Sequence, residues 1–287
     1  MKLSIVYPVL NQHPLARVAI RTALENLSDN CEVELVVIDN GSDQEFSLDG
    51  VIPENKILQV QASVVRNRDS IGVYPTFWQG KINTYGDLIA FFHSDMIVAE
   101  KNWDTRVALA FEREPLLGLL GFIGSNEIDG SGGRGLGTTS NFLGGSYHDY
   151  DGAHTWIGSP AEPHGKRFTG YTTAAVVDGC AMIFKRDALD KIKQREDFPP
   201  HHFYDRMLSC EVMERGYKVG VLGIGCDHIS GQTVAHEIKY ENMAQEWCAK
   251  HGIAKTHNWD DAIYHEAERQ WLTEYRDIKH LVPVTVY

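Results

Sequence analysis

The sequence predicts an α/β fold with a mostly parallel central sheet, on three observations. Short β-branched, apolar runs alternate with segments whose apolar residues recur at helical spacing. The runs are apolar without interruption, as in strands covered on both faces. Several end in turns rich in Asn, Asp or Gly, where a doubly covered sheet presents its ligand-binding edge.

Leu3 to Val9 reads as the first strand, ending near Pro8 and Asn11. Pro14 to Leu27 is a helix, with Leu15, Val18, Ala19, Thr22, Ala23 and Asn26 on one face. Glu34 to Ile38 is a second strand running into the polar turn Asp39 to Asp43, and Ile57 to Val65 a third. Val73 to Asn83 is a second helix and Asp87 to Phe92 a fourth strand. Pro8 to Asn11, Asp39 to Asp43, Arg66 to Asp69 and His93 to Asp95 should therefore converge on one crevice. Further strands are expected at Gly118 to Gly124, at Val176 to Phe184 with an interruption at Gly179, and at Tyr217 to Ile224. Helices are expected at Asp187 to Lys193 and at Phe203 to Gly216, the latter ended by its glycine. Asp129 to Gly145 carries seven glycines and reads either as a loop that closes over a ligand or as a surface excursion. Ala235 to Lys250 and Asp260 to Ile278 look helical and would form a C-terminal cap.

Among 287 residues, 43% are hydrophobic and 23% charged, enough to bury a substantial core. A formal charge of -12 makes nucleic acid and anionic lipid poor partners. No stretch approaches the roughly 20 apolar residues that cross a bilayer, and Met1 to Val6 runs straight into a strand without a cleavable signal, so a cytoplasmic protein is expected. Five cysteines, an odd number without a CxxC pair, indicate buried thiols rather than a disulfide framework or a zinc site.

His93-Ser94-Asp95 places two metal-ligand types two residues apart at a strand end. The alternative is a strand-end cap bonded to backbone. Four segments in order then carry a resemblance: Ser4 to Asn11 (SIVYPVLN), Glu34 to Asp43 (ELVVIDNGSD), Arg66-Asn67, and Gly86 to Asp95 (GDLIAFFHSD). Together they resemble the amino-terminal half of inverting GT-A glycosyltransferases of the large family 2 type, whose fold is Rossmann-like. The resemblance implies that Asp39, with Asn40, contacts the nucleotide base, and that Pro8 and Asn11 line the same pocket. Arg66 and Asn67 would lie near the base or diphosphate, with His93 and Ser94 also on the donor. Asp95 matches the last Asp of the family's DXD metal motif, and His93 replaces its first Asp.

In the second half, Val177 to Leu189 (VDGCAMIFKRDAL) and His202 to Tyr217 (HFYDRMLSCEVMERGY) are similar to later family segments. Asp205 takes the place of the Asp in the family's ED motif, the general base, while Tyr204 replaces its Glu. A helix-start residue favoured by the dipole is the other reading of Asp205. Asp178, Gly179, His202 and Trp156 are acceptor-side candidates, Asp178 alternatively capping a turn. Trp78 and Trp103, like Trp156, are either sugar platforms or core residues. Cys226 to Thr233 (CDHISGQT) resembles the family's His-containing loop, making His228 a metal ligand beside Asp95, against a surface or packing role.

The implied protein is a metal-dependent glycosyltransferase using Mn2+ or Mg2+ and a nucleoside diphosphate sugar, UDP-sugar favoured, on an acceptor hydroxyl. Residues 1–98 would be its nucleotide-sugar-binding half, 99–233 its acceptor-binding and catalytic half, and 234–287 a C-terminal helical extension. A catalytically weak nucleotide-sugar-binding module is an alternative, motivated by His93. A nucleotidyltransferase ranks lower, because the start lacks a Gly-rich, Lys- or Arg-bearing phosphate loop.

Overall fold

A computed structural model describes residues 2–125, 142–144, 147–149, 166–167, 170–196, 200–201 and 203–228. The predicted alternation runs as β1 (Leu3–Val9), α1 (His13–Glu25), β2 (Val33–Asn40), β3 (Val60–Asn67), α2 (Val73–Ile82) and β4 (Leu88–Phe92). Then follow β5 (Met96–Val98), α3 (Trp103–Arg113), β6 (Leu117–Gly121), β7 (Ile123–Ser125), β8 (Phe142–Gly144), β9 (Tyr147–Asp149) and β10 (Lys166–Arg167). The last described elements are β11 (Tyr171–Thr173), β12 (Val176–Val177), β13 (Ala181–Lys185), α4 (Arg186–Leu189), α5 (Tyr204–Glu214), β14 (Lys218–Leu222) and β15 (Cys226–His228). Trp156, His202 and the expected extension 234–287 lie outside the described residues, as does most of the glycine-rich segment. Among the described residues, no helix is long and apolar enough to cross a membrane.

The main sheet has eight strands in the order β11-β14-β6-β13-β4-β1-β2-β3. β4, β1, β2 and β3 are parallel, while β13 runs antiparallel between β4 and β6. Every residue of β1, β2, β4 and β6 is buried, as unbroken apolar runs require. Alternate side chains supply two cores. Ile5, Tyr7 and Val9 pack with Ala16, Ala19 and Ile20 of α1, whereas Val6, Val36 and Ile38 pack with Tyr74 and Phe77 of α2. The approach of α2 to β1 needs Gly80, since a Cβ there would lie 2.3 Å from a Val6 methyl.

Local structure departs from expectation at three places. β3 starts at Val60, and Ile57 and Leu58, 57% and 101% exposed, stay outside it. A 3-10 turn, Glu54–Lys56, precedes them and buries Lys56, whose Nζ donates to Leu27 O and Asp29. The run Gly118 to Gly124 divides at Phe122 into β6 and β7, which belong to different sheets. Val176 to Phe184 divides, as its Gly179 led one to expect, at Asp178-Gly179-Cys180 into β12 and β13, again in two sheets. The helix at Asp187 to Lys193 shortens to the single turn α4. Trp78 and Trp103 are core residues, not sugar platforms: both are buried, and Trp103 Nε1 donates to Ala23 O at 3.0 Å.

Candidate active site

The carboxyl ends of β1, β2 and β3 meet in a closed polar network. Asn11 accepts from Asp43 N through Oδ1 (2.8 Å), and its own N–H donates to Ser42 Oγ (3.0 Å). Asp39 is fully buried; Oδ1 accepts from Ser42 N, while Oδ2 accepts from Phe46 N and, at 2.7 Å, from Arg66. Burial alone would raise this carboxyl, but the Ser42 hydroxyl, the two N–H groups and the Arg66 guanidinium outweigh it and hold it below the usual Asp range. Asn40 and Asn67 bond each other at 3.1 Å, and Asn40 also bonds Ser70 and Ile71 N. Asn67 in turn exchanges two bonds with Gln79 of α2. Pro8 is buried inside β1. The amides of Asn40 and Asn67 and the carboxylate of Asp39 thus build the rim. Arg66, exposed and held by Asp39 and Ser42 O, is the cation that the rim presents.

A second cluster forms beside it at the end of β4. His93 N donates to Cys180 O (3.0 Å) and His93 O accepts from Met96 N (3.1 Å), so a tight turn, rather than extended strand, brings His93 and Asp95 to one side. Immediately after the turn, β5 pairs antiparallel with β15, and His228 lies opposite Met96. This pairing carries His228 Nε2 to 3.6 Å from Asp95 Oδ1, with His93 Nδ1 at 4.0 Å from the same oxygen. One ligand atom from each of the three lies within 4.8 Å of the others. Ser94 is part-exposed in the turn.

Two observations fit this trio to a cation. Asp95 is 8% exposed, and its Oδ1 has no hydrogen-bond partner although both imidazoles point nitrogens at it. Metal–ligand bonds of about 2.0–2.2 Å would need only slight contraction of the trio. Burial would raise the Asp95 carboxyl, but His228 and then His93 hold it below its ordinary value, as the carboxylate that a metal requires. Burial pushes His93 down to about 4, opposed by Asp95 and reinforced by His228, so it is a neutral imidazole with a free lone pair.

Tyr204, the residue replacing the family's Glu, is the partner of His93: Oη lies 2.6 Å from Nε2. Tyr204 is buried, stacked on Tyr74 and edge-on to Phe77. With Nε2–H donated to Oη, Nδ1 presents its lone pair towards Asp95. Gly179 makes room for this contact, because a Cβ there would lie 2.4 Å from Tyr204 Oη. Gly179 N also donates to Asp205 Oδ2 (3.2 Å), and Arg206 N donates to Asp205 Oδ1 (2.8 Å). Asp178 accepts from Cys180 N at 3.0 Å, the turn-capping arrangement. Asp205 therefore stands one residue from the tyrosine that touches the cluster. The role of Tyr204 was the piece that sequence reasoning lacked. Its signal was there, in two departures from one family pattern, His for Asp at 93 and Tyr for Glu at 204, that meet in space.

A mostly parallel sheet of this order, with its polar turns at the carboxyl ends of β1 to β4, is the GT-A fold. Residues 82–275 match the model of a glycosyltransferase-like family, and the chain belongs to that family. No curated protein sequence matches it. The fold is similar to that of a mannosyltransferase from Pyrobaculum calidifontis solved with GDP-Man and Mn2+, at 12% identity and TM-score 0.53, over 96% of this chain and 75% of that one. It is also similar to S. aureus TarS 1–349, at 15% identity and TM-score 0.50, over 100% and 76% of the two chains. For GalNAc-T7, solved with UDP, GalNAc and Mn2+, identity is 12% and TM-score 0.56, and this chain spans 99% of itself but 58% of that chain. At such identities the likeness is one of fold.

Proposed function

We propose that the chain transfers a sugar from a nucleoside diphosphate sugar, a UDP-sugar in the first instance, to an acceptor hydroxyl with inversion. His93, Asp95 and His228 hold a divalent cation, and Asp205 is the general base. The observation that carries this reading is the buried, unpartnered Asp95 Oδ1 between two imidazole nitrogens, one residue-to-residue contact away from the turn bearing Asp205. Two nitrogens and one oxygen favour Mn2+ over Mg2+, which prefers all-oxygen shells. When bound, the cation supplies positive charge opposite the departing diphosphate.

The chain's own residues do the rest. Arg66, fixed by Asp39, offers a cation to the donor at the rim, and Asn11, Asn40 and Asn67 hold the loops that shape its pocket. Asp205, anchored by the N–H groups of Gly179 and Arg206, accepts the acceptor proton as its oxygen attacks the anomeric carbon. Gly179 and Asp178 form the adjoining turn on the acceptor side. A nucleotide-sugar donor and the lack of a candidate bilayer span among the described residues support a cytoplasmic site of action.

The test is turnover of a panel of nucleotide sugars with Mn2+ or Mg2+, read as nucleoside diphosphate release. Transfer that needs the cation and stops with chelator is the expected result, with the product's anomeric configuration opposite to the donor's. Binding without hydrolysis or transfer in every combination would instead make the chain a nucleotide-sugar-binding module, and pyrophosphate release a nucleotidyltransferase.

A further inference from the structure

Arg206 is the one arginine of the buried class among the described residues, 5% exposed. Its Nε is sealed from solvent and has no hydrogen-bond partner. Buried Lys56, by contrast, donates to Leu27 O, Ser28 O and Asp29. A guanidinium nitrogen sealed from water without an acceptor is unfavourable, so its retention argues for a partner that the described residues do not supply.

The nearest carboxylate in sequence does not fill that role. Asp205 spends its oxygens on the N–H groups of Gly179 and Arg206, and no ion pair links it to a guanidinium. Helical side chains lean towards the N-terminus of their helix, so an arginine in the first turn projects past the helix start. Accordingly, the guanidinium carbon of Arg206 lies 4.1 Å from the ring centre of Phe203, the residue before α5. Phe203 sits at φ 61, a left-handed conformation unfavourable for a bulky residue, and gives the 11-residue helix no side-chain cap. Backbone dipole and guanidinium thus add positive potential at one mouth, on the turn whose Tyr204 and Asp205 reach His93 and Gly179.

We propose that Arg206 and the N-terminal turn of α5 form an anion site that receives a carboxylate or phosphate carried by the acceptor. The assignment to the acceptor rests on the role proposed for Asp205; the anion site itself does not. The donor diphosphate is the other source of the same chemistry.

The probes are inorganic phosphate and glucuronate, added to the full-length chain at ionic strength matched with chloride and read by thermal shift. Both should raise the wild-type melting temperature, and Arg206→Met should weaken each apparent Kd at least about tenfold. Arg206→Met keeps the stem packed on Phe203 while removing an unpaired charge, so the free variant should melt at or above the wild-type temperature. Arg206→Lys should bind both probes with intermediate affinity. Phosphate shifts that persist undiminished in saturating UDP with Mn2+ support the acceptor, whereas competition by UDP assigns the site to the diphosphate and overturns that part. No response of the wild type to either probe, an equal response of Arg206→Met, or a markedly lower melting temperature of that variant overturns the site. None of these readouts needs turnover, so a failed transfer assay and a failed anion site are told apart.

Discussion

The rim after β1 to β3 and the cluster after β4 are built on opposite terms. In the rim, Asp39, Asn40, Asn67 and Arg66 satisfy one another, and the fully buried Asp39 carboxylate alone accepts three hydrogen bonds from other residues. In the cluster Asp95 Oδ1, and on the first turn of α5 Arg206 Nε, are buried without a hydrogen-bond partner. A satisfied network is already in its working shape, whereas buried polar atoms left open mark where charge from outside is to arrive. Substitutions should therefore weaken the fold at the rim and weaken function at the cluster.

The sharpest separation is expected from Asp95→Asn. It keeps the shape and removes the charge, so Mn2+ binding by calorimetry should be lost and transfer should fall by about a thousandfold or more. Near-normal transfer by this variant would break the comparison. Asp205→Asn should lower kcat by about 10²- to 10⁴-fold with donor KM unchanged. A variant that turns over normally would leave Asp205 as a helix-start residue. Tyr204→Phe removes only the hydroxyl facing His93 Nε2, and Mn2+ should then bind about 10- to 100-fold more weakly with little change in melting temperature.

The smallest effect lies in the rim and is one of stability. The folded-state pKa of Asp39 is below its unfolded value, so its ionised form stabilises the fold fully above the ordinary Asp pKa of about 3.9. That contribution is lost as pH falls from there through the folded value. Asp39→Asn should thus lose about 2–3 kcal/mol in denaturant unfolding at pH 7, and the gap to wild type should close towards pH 2. A gap independent of pH would mean that the charge of Asp39 contributes nothing.

Much of this was legible in the sequence, for reasons that also explain the rest. β1, α1, β2, α2 and β4 announced themselves because each carries its own period and its own stop signal. Ile57 and Leu58 misled because apolar character does not reveal whether a chain has anything to pack against; here a buried lysine turn lifts them out. The division at Phe122 escaped notice because a strand that changes sheets keeps its composition, whereas the glycine at 179 announced the other. At the site, residue types were readable from family motifs, but contacts were not. Tyr204 meets His93 across 111 residues of chain, a pairing that no local pattern encodes. The burial of Asp39 behind Arg66 is equally a product of register between β2 and β3, which sets the two residues opposite each other.

The three-residue ladder between β5 and β15 would give an ion bound at the cluster a mechanical part to play. His228 sits at its terminal rung, opposite Met96, so an ion gripping Asp95 and His228 would rivet two distant stretches of polypeptide at the end of that short ladder. Amide exchange along β15 should accordingly slow on loading with Mn2+, turning ion occupancy into a measure of how firmly the late part of the chain is fastened to the early one.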